Sequence, residues 1–221
     1  TVVAVPAVTV HAPILDLNPC SINPRVAAVS IEYTVQAIQL AKRLGAGVLT
    51  VHPGRRTAKR PPSRADFERF GRYIDLLRTA AEGSPVRIAM ENMEPIVNSV
   101  LCTPAQVREL LDAEPWLSFT LDVAHALAGR PGDLPEYLRL CGDRLANVHL
   151  SRVREKRLHL PLDNHPAMAG VIRSLADIGY DGPLTLEIDD LNFSGTLASQ
   201  EKVAILAADR AFIEQTCRES R

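Results

Sequence analysis

The 221-residue chain has no apolar run of the roughly 18–20 residues that a membrane-crossing helix needs, so no segment reads as a transmembrane span. Its most apolar stretch, Thr1–Val10, contains Pro6 and lacks the basic start of a signal peptide. It has no C-x-x-C pair: Cys20, Cys102, Cys141 and Cys217 are scattered, which suggests reduced thiols in a cytoplasmic protein and not a disulfide framework. No G-x-G-x-x-G turn follows an early strand and there is no P-loop, which argues against dinucleotide-binding and P-loop folds. Charge of one sign is also missing. With 25 Lys plus Arg against 26 Asp plus Glu, the net charge of -1 gives no global pull toward nucleic acid or acidic membranes, leaving only a local basic patch open. Internal repeats and low-complexity tracts are absent as well. At 46% hydrophobic and 23% charged, the composition is that of a globular protein of one domain.

What the chain does have is regular alternation. Short β-branched runs at Val8–His11, Gly47–His52, Val86–Glu91, Leu117–Asp122, Leu145–Leu150 and Leu184–Ile188 are near-continuously apolar, as strands covered on both faces are. Helical spacing occupies Val26–Leu44, stopping at Gly45, and Arg64–Ala81. Thr103 and Pro104 form an N-cap and first-turn proline for a helix to about Leu111. Asp133–Leu140, Pro166–Ile178 and Gln200–Cys217 complete the set. Single helices between strands imply parallel βαβ units, in an open sheet or a barrel. The loop Pro53–Ser63, with Arg55, Arg56, Lys59 and Arg60, reads as a mobile basic loop beside the site.

The strand ends carry the chemistry. The runs finish HAP, VHPG, AMEN, TLDVAH, NVHL and TLEID, which places His11, His52, Glu91, Asp122, His149 and Glu187 at C-terminal strand ends. In a parallel barrel those ends converge on the face that bears the active site. Burying so many titratable groups together is costly unless a cation compensates them, and carboxylate and imidazole are ordinary ligands of a divalent metal. Taken alone, any one of these residues reads more simply as a loop hydrogen-bonder.

At these residues the chain resembles the xylose isomerase-like barrel superfamily, which holds sugar (phosphate) isomerases and epimerases together with endonuclease IV-type enzymes. The resemblance runs from His11 to the final helix through HAPILDLN, VHPG, MEN, LDVAH, NVHLS, HLPL and LEID. It implies an α/β fold, a (β/α) TIM-type barrel of parallel strands in a single domain over 1–221. Six clear strands and an abrupt start at Thr1 make the first βα unit read as missing or shortened, with Thr1–Val5 as a further short strand. The resemblance makes Glu91, Asp122, His149 and Glu187 the metal ligands, with Glu91 and Glu187 also the catalytic proton carriers. His125 would contact substrate, as would an arginine after the His149 strand, where Arg154 is favoured over Arg152 and Arg157. His11 and His52 are substrate contacts or, with Glu91, a second metal site.

In the endonuclease branch His125 and His159 would belong to a third site, but its partner acid, two positions before His159, is Arg157 here. The cofactor implied is a divalent ion (Mn²⁺, Mg²⁺, Co²⁺ or Zn²⁺). The partner implied is a small sugar-like substrate, with nucleic acid only in the endonuclease alternative. An open barrel edge would favour a homo-oligomer. A barrel without turnover is the third reading. Trp116 and Tyr180 are expected to pack at strand starts, Asn18 and Asn92 to cap turns, and His165 to enter a helix. Asp189 and Asp190 are expected either to orient ligands or to sit in a solvated loop.

Overall fold

The computed structural model describes residues 7–193 and 195–220. Six strands, β1 (Thr9–His11), β2 (Val48–Val51), β3 (Arg87–Glu91), β4 (Ser118–Asp122), β5 (Leu145–Leu150) and β8 (Leu184–Leu186), form one parallel sheet in that order. Helices α1 (Pro24–Leu44), α2 (Arg64–Ala81), α3 (Pro104–Ala113), α5 (Asp133–Cys141), α6 (Pro166–Asp177) and α7 (Ser199–Glu219) connect or follow the strands. Local chemistry sets their ends. Asn23 accepts from Arg25 N at 3.0 Å ahead of a first-turn proline, and Gly45 closes α1 at φ +64, a conformation that needs no Cβ. Thr103 caps α3 by accepting from Gln106 N. The expected short strand at Thr1–Val5 lies outside the described residues.

Side-chain alternation sorts the sheet into two faces. Leu49, Val51, Ile88, Met90, Phe119, Leu121, Val148 and Leu150 belong to one buried core with Ile38, Leu77, Leu111 and Tyr137 of the helices. Among the intervening residues, Thr50, Thr120, Asn147 and Thr185, one each from β2, β4, β5 and β8, meet through polar side chains. Thr50 Oγ1 lies 2.9 Å from Thr120 Oγ1, Asn147 Nδ2 donates to Thr50 Oγ1 at 3.4 Å, and Thr185 Oγ1 donates to Asn147 Oδ1 at 3.1 Å. In a flat sheet β2 and β5 would stand about 14 Å apart, three spacings of about 4.8 Å. The direct bond from Asn147 to Thr50 therefore requires the sheet to curl, giving the half-barrel. Two residues further along each strand come His52, Asp122, His149 and Glu187.

Two features escape the sequence patterns. A five-residue helix, α4 (Val123–Leu127), starts directly after β4, and an antiparallel hairpin pairs β6 (Arg152–Arg154) with β7 (Arg157–Leu160). The first is too short to show a period, and the second is written in arginines. The basic loop 53–63 is also less free than expected: Arg55 bridges to Ser99, and Arg56 N donates to Asn98 O at 2.9 Å. Among the described residues no helix is long and apolar enough to cross a membrane. Asn147→Ala, which strips Thr185 of its acceptor inside the curl, should lower stability by about 1–3 kcal/mol in urea unfolding. An unchanged midpoint would show that the polar layer does not hold the curvature.

Candidate metal centre

Each strand delivers its polar residue to the same place. His11, Glu91 and Asp122 are the last residues of β1, β3 and β4, His149 is the penultimate residue of β5, and His52 and Glu187 come directly after β2 and β8. Glu91 is fully buried at the middle of the group. Its Oε2 lies 3.2 Å from His11 Nε2 and 3.0 Å from His52 Nε2, and its Oε1 lies 3.2 Å from His149 Nδ1. His149 Nδ1 is in turn 2.7 Å from Glu187 Oε2 and 4.0 Å from Asp122 Oδ2. Donor atoms of Glu91, Asp122, His149 and Glu187 thus lie within 4.8 Å of one another.

Two further donor groups share members with that set: His11, His52 and Glu91, and Asp122, His125 and His159. Asp122 is the N-cap of α4, its Oδ1 accepting from His125 N at 2.6 Å, which sets His125 one turn beyond it. His159 arrives on β7 with a left-handed backbone, φ +54, uncommon for a residue with a Cβ. His125 Nδ1 lies 2.9 Å from the Asn92 carbonyl, an orientation that leaves Nε2 free.

The group fits a cation. Asp122 Oδ2 is buried without a hydrogen-bond partner among the described residues, a costly arrangement that a bound metal would relieve. Burial opposes charge on every member, and their mutual interactions decide the outcome. His52 and His149 outweigh burial at Glu91 and hold its carboxyl well below the usual range. Asp122, buried and facing the charges of Glu91 and Glu187, is pushed well above it. Burial also opposes ionisation of Glu187, but its bond to His149 lowers it to about 2. Burial would neutralise His149, yet Glu91 and Glu187 raise it to about 10. His125 goes the other way: desolvation lowers it and favours the neutral ring.

Asn92 was expected to cap a turn. Instead it is buried and ties two ligand-bearing strands together: its Oδ1 accepts from Asp122 N at 2.8 Å and its Nδ2 donates to Asp122 O at 3.0 Å. Position alone, immediately after Glu91 in MEN, was the available signal. Asn18 also does more than cap a turn: its Nδ2 donates to Arg55 O and its Oδ1 accepts from Arg55 N. His165 caps α6 as expected, accepting from Ala167 N. Trp116 and Tyr180 pack on the core. Asp189 caps its own turn through Leu191 N while its backbone N donates to His159 O at 2.9 Å, and Asp190 pairs with Lys202, so neither carboxylate bonds a donor side chain.

A cleft of about 470 Å³ opens beside the donors, lined by His52, His125, His159 and Glu187 together with the segment Ala12–Leu17 and Arg55. Of the arginines after β5, none lines it. Arg154 is exposed at the hairpin tip, Arg152 bonds Pro161 O and Asp163, and Arg157 points its Nη1 to Asn192 O at 3.4 Å. Arg154 ends β6, paired with Arg157 across the hairpin and next to its turn, and its side chain is exposed there.

A curled parallel sheet with carboxylates and imidazoles gathered at its C-terminal edge defines a barrel-type protein whose strand ends could hold a metal ion. The chain belongs to the xylose isomerase-like TIM barrel family, whose model matches residues 5–215. The uncharacterized protein MJ1188 of Methanocaldococcus jannaschii is 31% identical over 210 residues, covering 94% of this chain and 76% of the relative. Among solved structures, a D-tagatose 3-epimerase-like protein superposes with a TM-score of 0.78 at 23% identity over 97% of this chain and 80% of its own. An L-ribulose 3-epimerase gives 0.77 at 20% identity, over 97% and 76%. Endonuclease IV from Thermus thermophilus gives 0.69 at 22%, over 95% and 76%. At these identities the likeness establishes the fold.

With Glu91 and Glu187 pushing His149 up to about 10 against burial, its ring holds a proton at pH 7 that an arriving cation must displace. Calorimetry in buffers of different ionisation enthalpy should therefore show at least about one proton released per Mn²⁺ or Zn²⁺ bound near pH 7, with affinity falling about tenfold or more per unit as pH drops below about 10. Binding without proton release would place the ion away from His149.

Proposed function

We propose that this chain is a divalent-metal-dependent isomerase or epimerase, moving a proton next to the carbonyl of a small sugar or sugar phosphate. The observation that carries this reading is the convergence of Glu91 and Glu187 on His149 Nδ1, at 3.2 and 2.7 Å, beside the unpartnered Asp122 Oδ2. Glu91, Asp122, His149 and Glu187 would hold Mn²⁺, Mg²⁺, Co²⁺ or Zn²⁺, and the ion would polarise the substrate's carbonyl and hydroxyl oxygens. Glu187 is the carboxylate that meets the substrate. Its side chain is 36% exposed, lines the cleft and stays ionised, so it can accept a proton from carbon. Glu91 is the second proton carrier, and His11 and His52 at its Oε2 can take that proton over. His52 and His125 line the cleft and would bind substrate hydroxyls, His125 accepting through its free Nε2. Four free cysteines suit a reducing cytoplasm, and the edge strands β1 and β8 suit association into a homo-oligomer.

A second reading, hydrolysis of a phosphodiester in abasic DNA, is favoured by the two further donor groups around His11 and His52 and around His125 and His159. Arg157 in place of an acid counts against the latter group. Incubating metal-loaded protein with ketoses in deuterated water should exchange the proton next to the carbonyl, and Glu187→Gln should slow that exchange by about 10²-fold or more. No exchange across a broad ketose panel, with cutting of an abasic duplex by the same preparation, would replace the first reading with the second.

A further inference from the structure

The cleft has lining residues that the chemistry above does not use. Its cation is Arg55, exposed on the loop after β2, three residues beyond His52. The other arginines of that basic run are occupied. Arg56 bonds the carbonyls of Arg60 and Val97, Arg60 pairs with Asp66 at 2.7 Å, and Arg64 pairs with Glu68 at 2.8 Å. Among the described residues the Arg55 guanidinium has no hydrogen-bond or carboxylate partner, and it is the one arginine that lines the cleft.

The backbone that carries it is held from several sides. Asn18, 7% exposed, accepts from Arg55 N at 3.0 Å and donates to Arg55 O at 2.9 Å. Ser99 bridges to Arg55 from across the cleft mouth, and Asn98 Nδ2 donates to Arg56 O at 3.2 Å. Gly54 makes this closeness possible. It sits at φ +76, and a Cβ there would lie 2.9 Å from Asn18 Oδ1. An exposed cation on a freely moving loop would lose much of its binding energy to ordering, whereas a pre-positioned one loses little.

We infer that Arg55 is the specificity residue of this cleft and takes the terminal anionic group, a phosphate ester or a carboxylate, of a hydroxylated substrate whose reacting end lies at the metal donors. A guanidinium recognises both anions through paired charge-assisted hydrogen bonds. Asp16 and Glu94 also line the cleft and disfavour a substrate anion beside themselves. They suit its hydroxyl groups, so the anion is confined to the Arg55 wall. The cleft's 470 Å³ lies within the range of roughly 300–1,000 Å³ typical of small-molecule sites. The inference rests on the isomerase reading only for the carbonyl end of the substrate.

The test is calorimetric titration of the full, Mn²⁺-loaded chain with two matched sets. These are dihydroxyacetone with dihydroxyacetone phosphate and hydroxypyruvate, and D-fructose with D-fructose 6-phosphate and D-fructuronate. In at least one set an anionic member should bind about tenfold or more tighter than the neutral one, and the preferred member distinguishes phosphate from carboxylate. Arg55→Ala should bring that ratio to near one and Arg55→Lys should keep part of it, while Lys59→Ala, on the same loop, should leave it intact. No anion preference in either set, or a preference that survives Arg55→Ala, overturns the inference. Solvent-deuterium exchange read on the same samples separates the two claims. Exchange without anion preference removes the role of Arg55 alone, and anion preference without exchange removes the isomerase reading alone.

Discussion

The structure turns on keeping the Glu91 carboxylate ionised where no water reaches it. Such burial costs several kcal/mol unless hydrogen-bonding or positive partners surround the charge. His11, His52 and His149 come within 3.2 Å of its two oxygens, from three different strand ends. These imidazoles can meet there only if the sheet curls. The threonine and asparagine layer beneath them makes the curl consistent, since its hydrogen bonds cross strands that a flat sheet would hold apart. Asn92 then locks the ends of β3 and β4 in step. Each of these features would be a liability alone, and together they assemble a donor set that could receive a cation.

The arrangement separates duties between rigid and variable parts. The candidate metal donors sit on or next to strands, where packing on both faces fixes their positions. The outer cleft is made by loops, and loops are where a barrel of this kind selects what it acts on. Arg55 belongs to the second group but is held almost as firmly as the first, through Asn18 and the close approach that Gly54 permits. The asymmetry between the glutamates follows the same division: Glu91 is sealed beneath the histidines, and Glu187 is turned partly outward to the cleft.

Most of the fold and the donor set could be read from residue order. Apolar runs marked all six strands of the main sheet, and the residue types at their ends named every member of the four-donor group. What stayed hidden depends on contacts distant in sequence. The clamp by Asn92 spans 30 positions and leaves no periodic trace. The hairpin at 152–160 has charged strands that pattern as loop, so Arg154 was expected at the pocket and instead lies at an exposed tip. Arg55 stood in a run of similar cations, and only their individual partners show that one of them is left over for the cleft.

The most direct measurement is anomalous diffraction from crystals equilibrated with Mn²⁺. The expected result is a peak within coordination distance of Glu91, Asp122, His149 and Glu187 together. A peak bound elsewhere, or these four side chains unchanged and without a peak at saturating manganese, would contradict a shared metal centre.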